Sequence, residues 1–381
     1  MKRVAYILFL MIVVIGCKKP YNPPAITAPN GYLVVEGVIN SSSDSTTITL
    51  SRTVNISSNI TSNPVLHAVV AVESDQNVVY PLTETTNGNY VSAGLNLDDT
   101  HTYRLSIKTT NNEQYQSDLV PVLVTPPIDS VGFKILSVPA DTGIQIYANT
   151  HDPTNSVKYY RWDYNENWEF YAKYISYWKA DGSIIRIRQA NENITVCYTN
   201  DISSDIVLGT SAKLQQDVIY QNPIVYIPHT SEKLEDDYTI LVREYALTAD
   251  AYNFWVSLKK NTEQLGSIFD AQPSQITGNI HCVTSPSEPV IGYISVSTVT
   301  SKRIYISNAQ LPAWVATYPY NCQQETTDDA YDTLILDSAN FIPTGPPPLG
   351  TATTQSPNIY STRECVDCTI RGTKTPPAFW K

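Results

Sequence analysis

Residues 32–39, Tyr32-Leu-Val-Val-Glu-Gly-Val-Ile39, open a series of short runs in which apolar and polar side chains alternate. A period of two puts successive side chains on opposite faces of an extended strand, one toward a core and one toward water. The pattern returns at 46–54, 66–73, 78–82, 89–93, 102–108 and 114–119. Asn87-Gly88 falls between two of these runs, and that dipeptide suits the left-handed backbone of a tight hairpin. Seven such runs predict a small antiparallel β-sandwich over residues 31–125. Pro121, Pro126 and Pro127 then end strands and stiffen a link, so a domain boundary is expected there.

Residues 126–381 read as a second, larger β-rich domain. Strand candidates lie at 144–148, 159–164, 184–188, 206–208, 218–227, 238–246 and 290–299, with 303–306 as an extension of the last. One helix stands out over about 248–266. Thr248 can cap it, Asp250 favours its first turn, and Gly266 stops it. Tyr252, Trp255, Val256, Leu258, Thr262 and Leu265 make a stripe that would pack on a sheet. The chain is thus mainly β with one packed helix.

Aromatic residues crowd between 159 and 178. Tyr160, Trp162 and Tyr164 alternate and share one strand face, with Trp168 and Tyr171 further along, while Tyr159, Arg161 and Asp163 share the other face. Three uses fit such a row: filler of a sandwich core, a docking patch, or a platform on which sugars stack. Tyr160, Trp162, Tyr164, Trp168 and Tyr171 are therefore the candidate contacts for a ligand or partner.

The N-terminus carries an address. Lys2 and Arg3 precede an apolar run over 4–15 that is too short to span a bilayer, and Val14-Ile15-Gly16-Cys17 closes it in the pattern of a bacterial lipoprotein box. Residues 1–16 are expected to be removed as a signal peptide, with lipid added to Cys17. Residues 17–30 hold four prolines and read as a solvated tether. Lys18 after the cysteine, in place of a retaining aspartate, favours delivery to the outer membrane, on either leaflet.

The formal charge of −11 falls to about −13 without Lys2 and Arg3, which argues against nucleic acid. The 26 Tyr, 25 Pro and 2 Met suit an exported β protein better than a helical cytosolic one. Beyond Cys17, five cysteines remain, so at least one stays unpaired. Cys365-x-x-Cys368 sits in a proline-flanked tail and reads as a structural disulfide, with a bond from one of these thiols to Cys322 as the alternative.

Reaction motifs are missing from the sequence. It has no Gly-x-Ser-x-Gly elbow, no His-Glu-x-x-His pair and no glycine-rich phosphate loop, and its five histidines are scattered. Asp98-Asp99, Glu235-Asp236-Asp237 and Asp328-Asp329 are acidic clusters without calcium-loop spacing, best read as solvated turns. Neither cofactor nor metal is expected, and no enzymatic activity.

Two stretches resemble a known family. They are Leu241-Val-Arg-Glu-Tyr-Ala-Leu with Phe254-Trp255, and 258–270 followed by Gln272-Pro273-Ser274 and Gly278-Asn279-Ile280. The opening 33–40 and the ending Cys365-Val-Asp-Cys368 with Arg371-Gly372 and Pro377-Ala-Phe-Trp380 match its two ends. The chain resembles the domain-of-unknown-function 4249 family of Bacteroidota envelope lipoproteins. That resemblance implies an N-terminal immunoglobulin-like or carboxypeptidase-regulatory-like sandwich, and a non-enzymatic accessory or binding role beside a TonB-dependent nutrient-uptake receptor. The alternatives are a carbohydrate-binding surface lipoprotein using the aromatic cluster, and a hydrolase built from distant carboxylates.

Overall fold

The computed structural model describes residues 31–54, 62–137, 142–181, 184–263, 278–326, 340–344 and 359–380. Cys17, the signal, the tether, Leu265, Gly266, Asp328 and Asp329 lie outside the described residues. The fold is mainly β, arranged in several sheets.

The first body holds β1 (Leu33–Asn40), β2 (Thr46–Arg52), β3 (Val69–Ser74), β4 (Val79–Glu84), β5 (Asn89–Ser92), β6 (Thr102–Lys108), β7 (Gln114–Ser117) and β8 (Val120–Leu123). Alternation sets its core: Thr46, Ile48 and Leu50 of β2 point in, as do Leu33 and Val35 of β1 and Leu105 and Ile107 of β6. The hairpin between β4 and β5 turns at Asn87 and Gly88, with φ of 54° and 75°, and the amide of Asn89 donates to the Thr86 carbonyl at 3.0 Å. Positive φ at both central residues is the turn whose twist matches paired strands.

The second body is built from β9 (Ile128–Leu136), β10 (Gly143–Asp152), β11 (Tyr159–Tyr171), β12 (Trp178–Asp181), β13 (Ile184–Ile187), β14 (Val196–Ile202), β15 (Val207–Thr210), β16 (Asp217–Pro228) and β17 (Asp237–Leu247). Helix α1 (Ala249–Glu263) follows, then β18 (Ile280–Cys282), β19 (Val296–Ser297) and β20 (Val299–Ser307). One sheet runs β16-β10-β9, and the other β14-β11-β17-β20 with β15 also on β11. Their facing sides share one core of Ile144, Ile146, Tyr160, Trp162, Ile240 and Val242 among others.

Two features depart from the sequence expectation. A division at 125/126 does not separate the bodies cleanly, because β18 and β19 return to the first: β18 pairs with β7, and β19 lies parallel between β1 and β8. Ile280, Cys282, Val290, Ile294 and Val296 complete the first core. The second departure follows from the first. With β8 also paired to β6, the strands β6-β3-β4-β5-β2-β1-β19-β8 close into a barrel-like ring in place of an open-edged sandwich. Closure gives the edges of β1 and β8 partners for their amides and carbonyls.

The two crossings between bodies run side by side. Thr298 donates its amide to Leu123 at 3.0 Å, Thr125 donates its amide to the Thr298 hydroxyl at 2.8 Å, and the Thr125 hydroxyl accepts from the Ala246 amide at 3.0 Å. This clasp fixes the second sheet against the ring.

Helix α1 begins as expected: Thr248 caps it through its hydroxyl, which accepts from the Ala251 amide at 3.2 Å. Its buried side is Ala251 and Phe254, so the packed face is rotated from the expected stripe, and Tyr252 and Trp255 flank it half-buried.

The cysteine pairing is Cys322–Cys365 and Cys197–Cys368, with Cys282 free and buried in the first core. The bond to Cys322 is the alternative weighed from sequence. A Cys365–Cys368 bond is ruled out, because the short helical turn α2 (Arg363–Val366) sends the two thiols to different partners. Cys197 on β14 escaped notice because nothing in the sequence links it to a tail 171 residues away.

Candidate functional site

Strand β11 decides where a site can form. Its residues 160, 162, 164, 166, 168 and 170 are buried, while 159, 161, 163, 165, 169 and 171 are half-buried on the opposite face. Tyr160 is 0 % exposed, Trp162 1 %, Tyr164 4 % and Trp168 7 %. These four are core residues, which corrects their candidacy as ligand or partner contacts: rings packed between two sheets present no face to a sugar or a protein. The Tyr160 hydroxyl donates to Asp217, and Trp162 Nε1 donates to Glu244 at 2.8 Å. Tyr171 lies on the half-buried face, but its hydroxyl is spent on Asp236.

Glu244 ties the sheets together. It sits on β17 opposite Trp162 and also accepts from the Thr150 hydroxyl of the facing sheet at 2.9 Å. Burial pushes its carboxyl up to about 7, although both hydrogen bonds pull the other way.

The outward face of β11 carries the polar residues of the alternation. Register sets Arg161 opposite Tyr245 and Asp163 opposite Arg243 of β17. Asp163 accepts from Arg243 Nε at 2.6 Å and from the Tyr245 hydroxyl at 2.7 Å, and Arg243 also donates to Asn165 at 2.9 Å. Burial, then the Asp163 charge, pushes the Tyr245 phenol up to about 12, so it stays a donor at neutral pH. Helix α1 lays Trp255 over Arg161, whose guanidinium lies 4.4 Å from the Trp255 ring centroid and 4.7 Å from that of Tyr245.

Arg161, Asp163, Arg243 and Trp255 line a cleft of about 440 Å³ between the bodies. One wall is the outer face of β11 and β17, and a second is α1 with Phe254, Trp255 and Leu258. A third is the loop 202–206, fastened to the helix by the Ile206 amide donating to Glu263 at 2.7 Å. The first body supplies the fourth wall through residues 34–37 of β1 and the segment 291–293 beside it. Gly292 permits that approach: at φ 145°, a Cβ there would lie 2.3 Å from the Val35 carbonyl oxygen.

Other sequence candidates fall apart in space. Four histidines each pair with a separate carboxylate: His67 with Glu84, His101 with Asp75, His151 with Asp129 and His281 with Asp118. Asp98 holds a turn by accepting from Thr100. Glu235 accepts from the Tyr318 hydroxyl at 2.6 Å across 83 residues, so these two acidic clusters hold a turn and a long-range tie. Sequence reasoning did not single out the cleft residues Arg161, Asp163, Arg243 and Trp255 as a site, although the alternation already set the first two apart from the rings. What it lacked was the helix and the ring-body wall that enclose them.

Among curated proteins none matches this chain. Among solved structures the chain is similar to chitinase ChiA74 from Bacillus thuringiensis, at 13% identity and a TM-score of 0.16, over 52% of this chain and 28% of that one. A likeness that slight, to less than a third of the enzyme, carries no argument. The family described as Domain of unknown function (DUF4249) matches residues 18–303. That span takes in the ring, the facing sheets, the helix and every wall of the cleft, and the chain belongs to this family.

Proposed function

We propose that the protein is a non-enzymatic binding component, held to the outer membrane by lipid on Cys17, which takes a small ligand in the cleft between its bodies and works beside a TonB-dependent receptor. The observation that carries this is Arg161, whose buried Nε has no hydrogen-bond partner on the wall of a cleft of binding-site size. Two disulfides support an exported life, since such bonds persist outside the reducing cytosol. The first body, which we take as a closed variant of the immunoglobulin-like or carboxypeptidase-regulatory-like sandwich, follows the tether in sequence and supplies one wall of the cleft. A hydrolase draws no support from Glu244 and Asp217, which are buried and hydrogen-bonded inside the core.

The test is purification from native outer membranes in mild detergent, using the wild type, Cys17→Ala and Ser204→Trp, the last placing an indole in the cleft. A large β-barrel should copurify with the wild type, palmitate should label it but not C17A, and S204W should lose uptake of a nutrient. Protein recovered alone, from a cell whose deletion strain grows normally on every substrate, contradicts the proposal.

A further inference from the structure

The cleft carries charges of both signs that the protein answers only in part. Arg161 is held between two rings and makes no hydrogen bond among the described residues. The nearest carboxylate, Asp163, lies 3.7 Å away and is already engaged by Arg243 and Tyr245. Glu36 of β1 and Asp205 of the loop after β14 line the same cleft, both exposed and without an ion pair or hydrogen bond among the described residues. Val34, Ile202, Phe254, Leu258 and Ile291 supply apolar surface between them.

A plain anion would satisfy Arg161 but meet two free carboxylates, and a plain cation would leave the guanidinium with no hydrogen bond and only its 3.7 Å share of Asp163. Unpaired donors at a desolvated site cost affinity, and like charges reject a ligand. A molecule bearing both charges answers the whole set. Size agrees: a space of 440 Å³ is roughly 8 Å on an edge, and an extended chain covers about 3.5 Å per residue. We infer that the cleft receives a small zwitterion of dipeptide size, its carboxylate on Arg161 and its ammonium on Asp205 and Glu36. Arg161 suits the first task because its planar fork, already fixed by the two rings, meets a carboxylate with two parallel donors. This inference rests on the cleft being the ligand site.

Isothermal titration of the full-length protein with Leu-Leu, acetyl-Leu-Leu, Leu-Leu-amide and maltose tests it. Leu-Leu should bind, either blocked form should bind about tenfold or more weakly, and maltose, which offers hydroxyls without charge, should not bind. In Arg161→Met, Leu-Leu should fall to the level of Leu-Leu-amide while the amide itself is unchanged. In the double variant Asp205→Asn/Glu36→Gln, it should fall to the level of acetyl-Leu-Leu. Those two carboxylates are exposed, so that variant keeps its fold and carries the test should R161M fail to fold. Equal affinity for free and blocked peptides, or a preference for maltose, overturns the zwitterion while leaving the cleft a ligand site. Binding by none of the four also overturns it, and the copurification experiment above then decides the wider proposal separately.

Discussion

The two faces of β11 differ in what they can tolerate being taken out of water. Inward stand Tyr160, Trp162, Tyr164, Trp168 and Phe170, large rings whose polar atoms need one partner at most. Outward stand Arg161 and Asp163, which keep part of their surface at the cleft, and the half-buried Asn165. Burying a guanidinium and a carboxylate together costs several kcal/mol per ion unless the geometry satisfies both, whereas a ring gains by burial. The lesson is that a dense aromatic row on a strand marks the core, and the charged residues interleaved with it mark the surface where a ligand can be met.

The largest effect that could break this contrast is at Trp162. Trp162→Ala should cost about 3–5 kcal/mol of stability, since it opens a cavity between the sheets and strips a donor from Glu244. Urea unfolding measures it, and a loss below about 1 kcal/mol would mean the ring is not core.

Next comes Glu244, one of the carboxyls the core admits. Its folded carboxyl titrates near 7 and its unfolded one near 4.5. The folded state therefore holds the proton more tightly, and stability is full below about pH 4.5 and is lost as pH rises through 7. Between those limits the slope is roughly 1.4 kcal/mol per pH unit. Glu244→Gln keeps an acceptor for Trp162 and a donor for Thr150, so it should match the wild type at acid pH and exceed it by a few kcal/mol above pH 7. Parallel pH–stability curves for the two proteins would contradict this.

The tail sharpens the contrast at a smaller scale. Cys197–Cys368 closes a separation of 171 residues and Cys322–Cys365 one of 43. Loop entropy makes removal of the first pair by alanine costlier by about 1 kcal/mol, read as the difference in urea midpoints under non-reducing conditions. Smallest of all should be Arg161→Met, at about 1 kcal/mol or less, because stacking at a half-open site is most of what the fold loses. Were its cost equal to that of W162A, the outward face would be core as well.

Much of the fold was legible because it is local. The seven runs of the first body, the Asn87-Gly88 turn and the Thr248 cap each follow from neighbouring residues. What stayed hidden is non-local. No pattern within 280–297 says that two- and three-residue strands will travel back to seal the ring, or that Cys197 will meet the tail. β9 and β14 were missed because their burial is irregular, as where buried Ile128 and Val131 stand three positions apart. The site was half legible: alternation assigned Arg161 and Asp163 to one face, but which face turned inward depended on a second sheet. The wall of β1 against α1 is tertiary throughout.

Hydroxyl-radical footprinting of the native protein, read residue by residue on the aromatic side chains, tests the assignment of the two faces most directly. The account predicts that Tyr160, Trp162 and Tyr164 stay unmodified until the protein unfolds, while the half-buried Tyr252 and Trp255 of α1 react in the folded state. Modification of Trp162 in the folded protein at a rate comparable to Trp255 would contradict it.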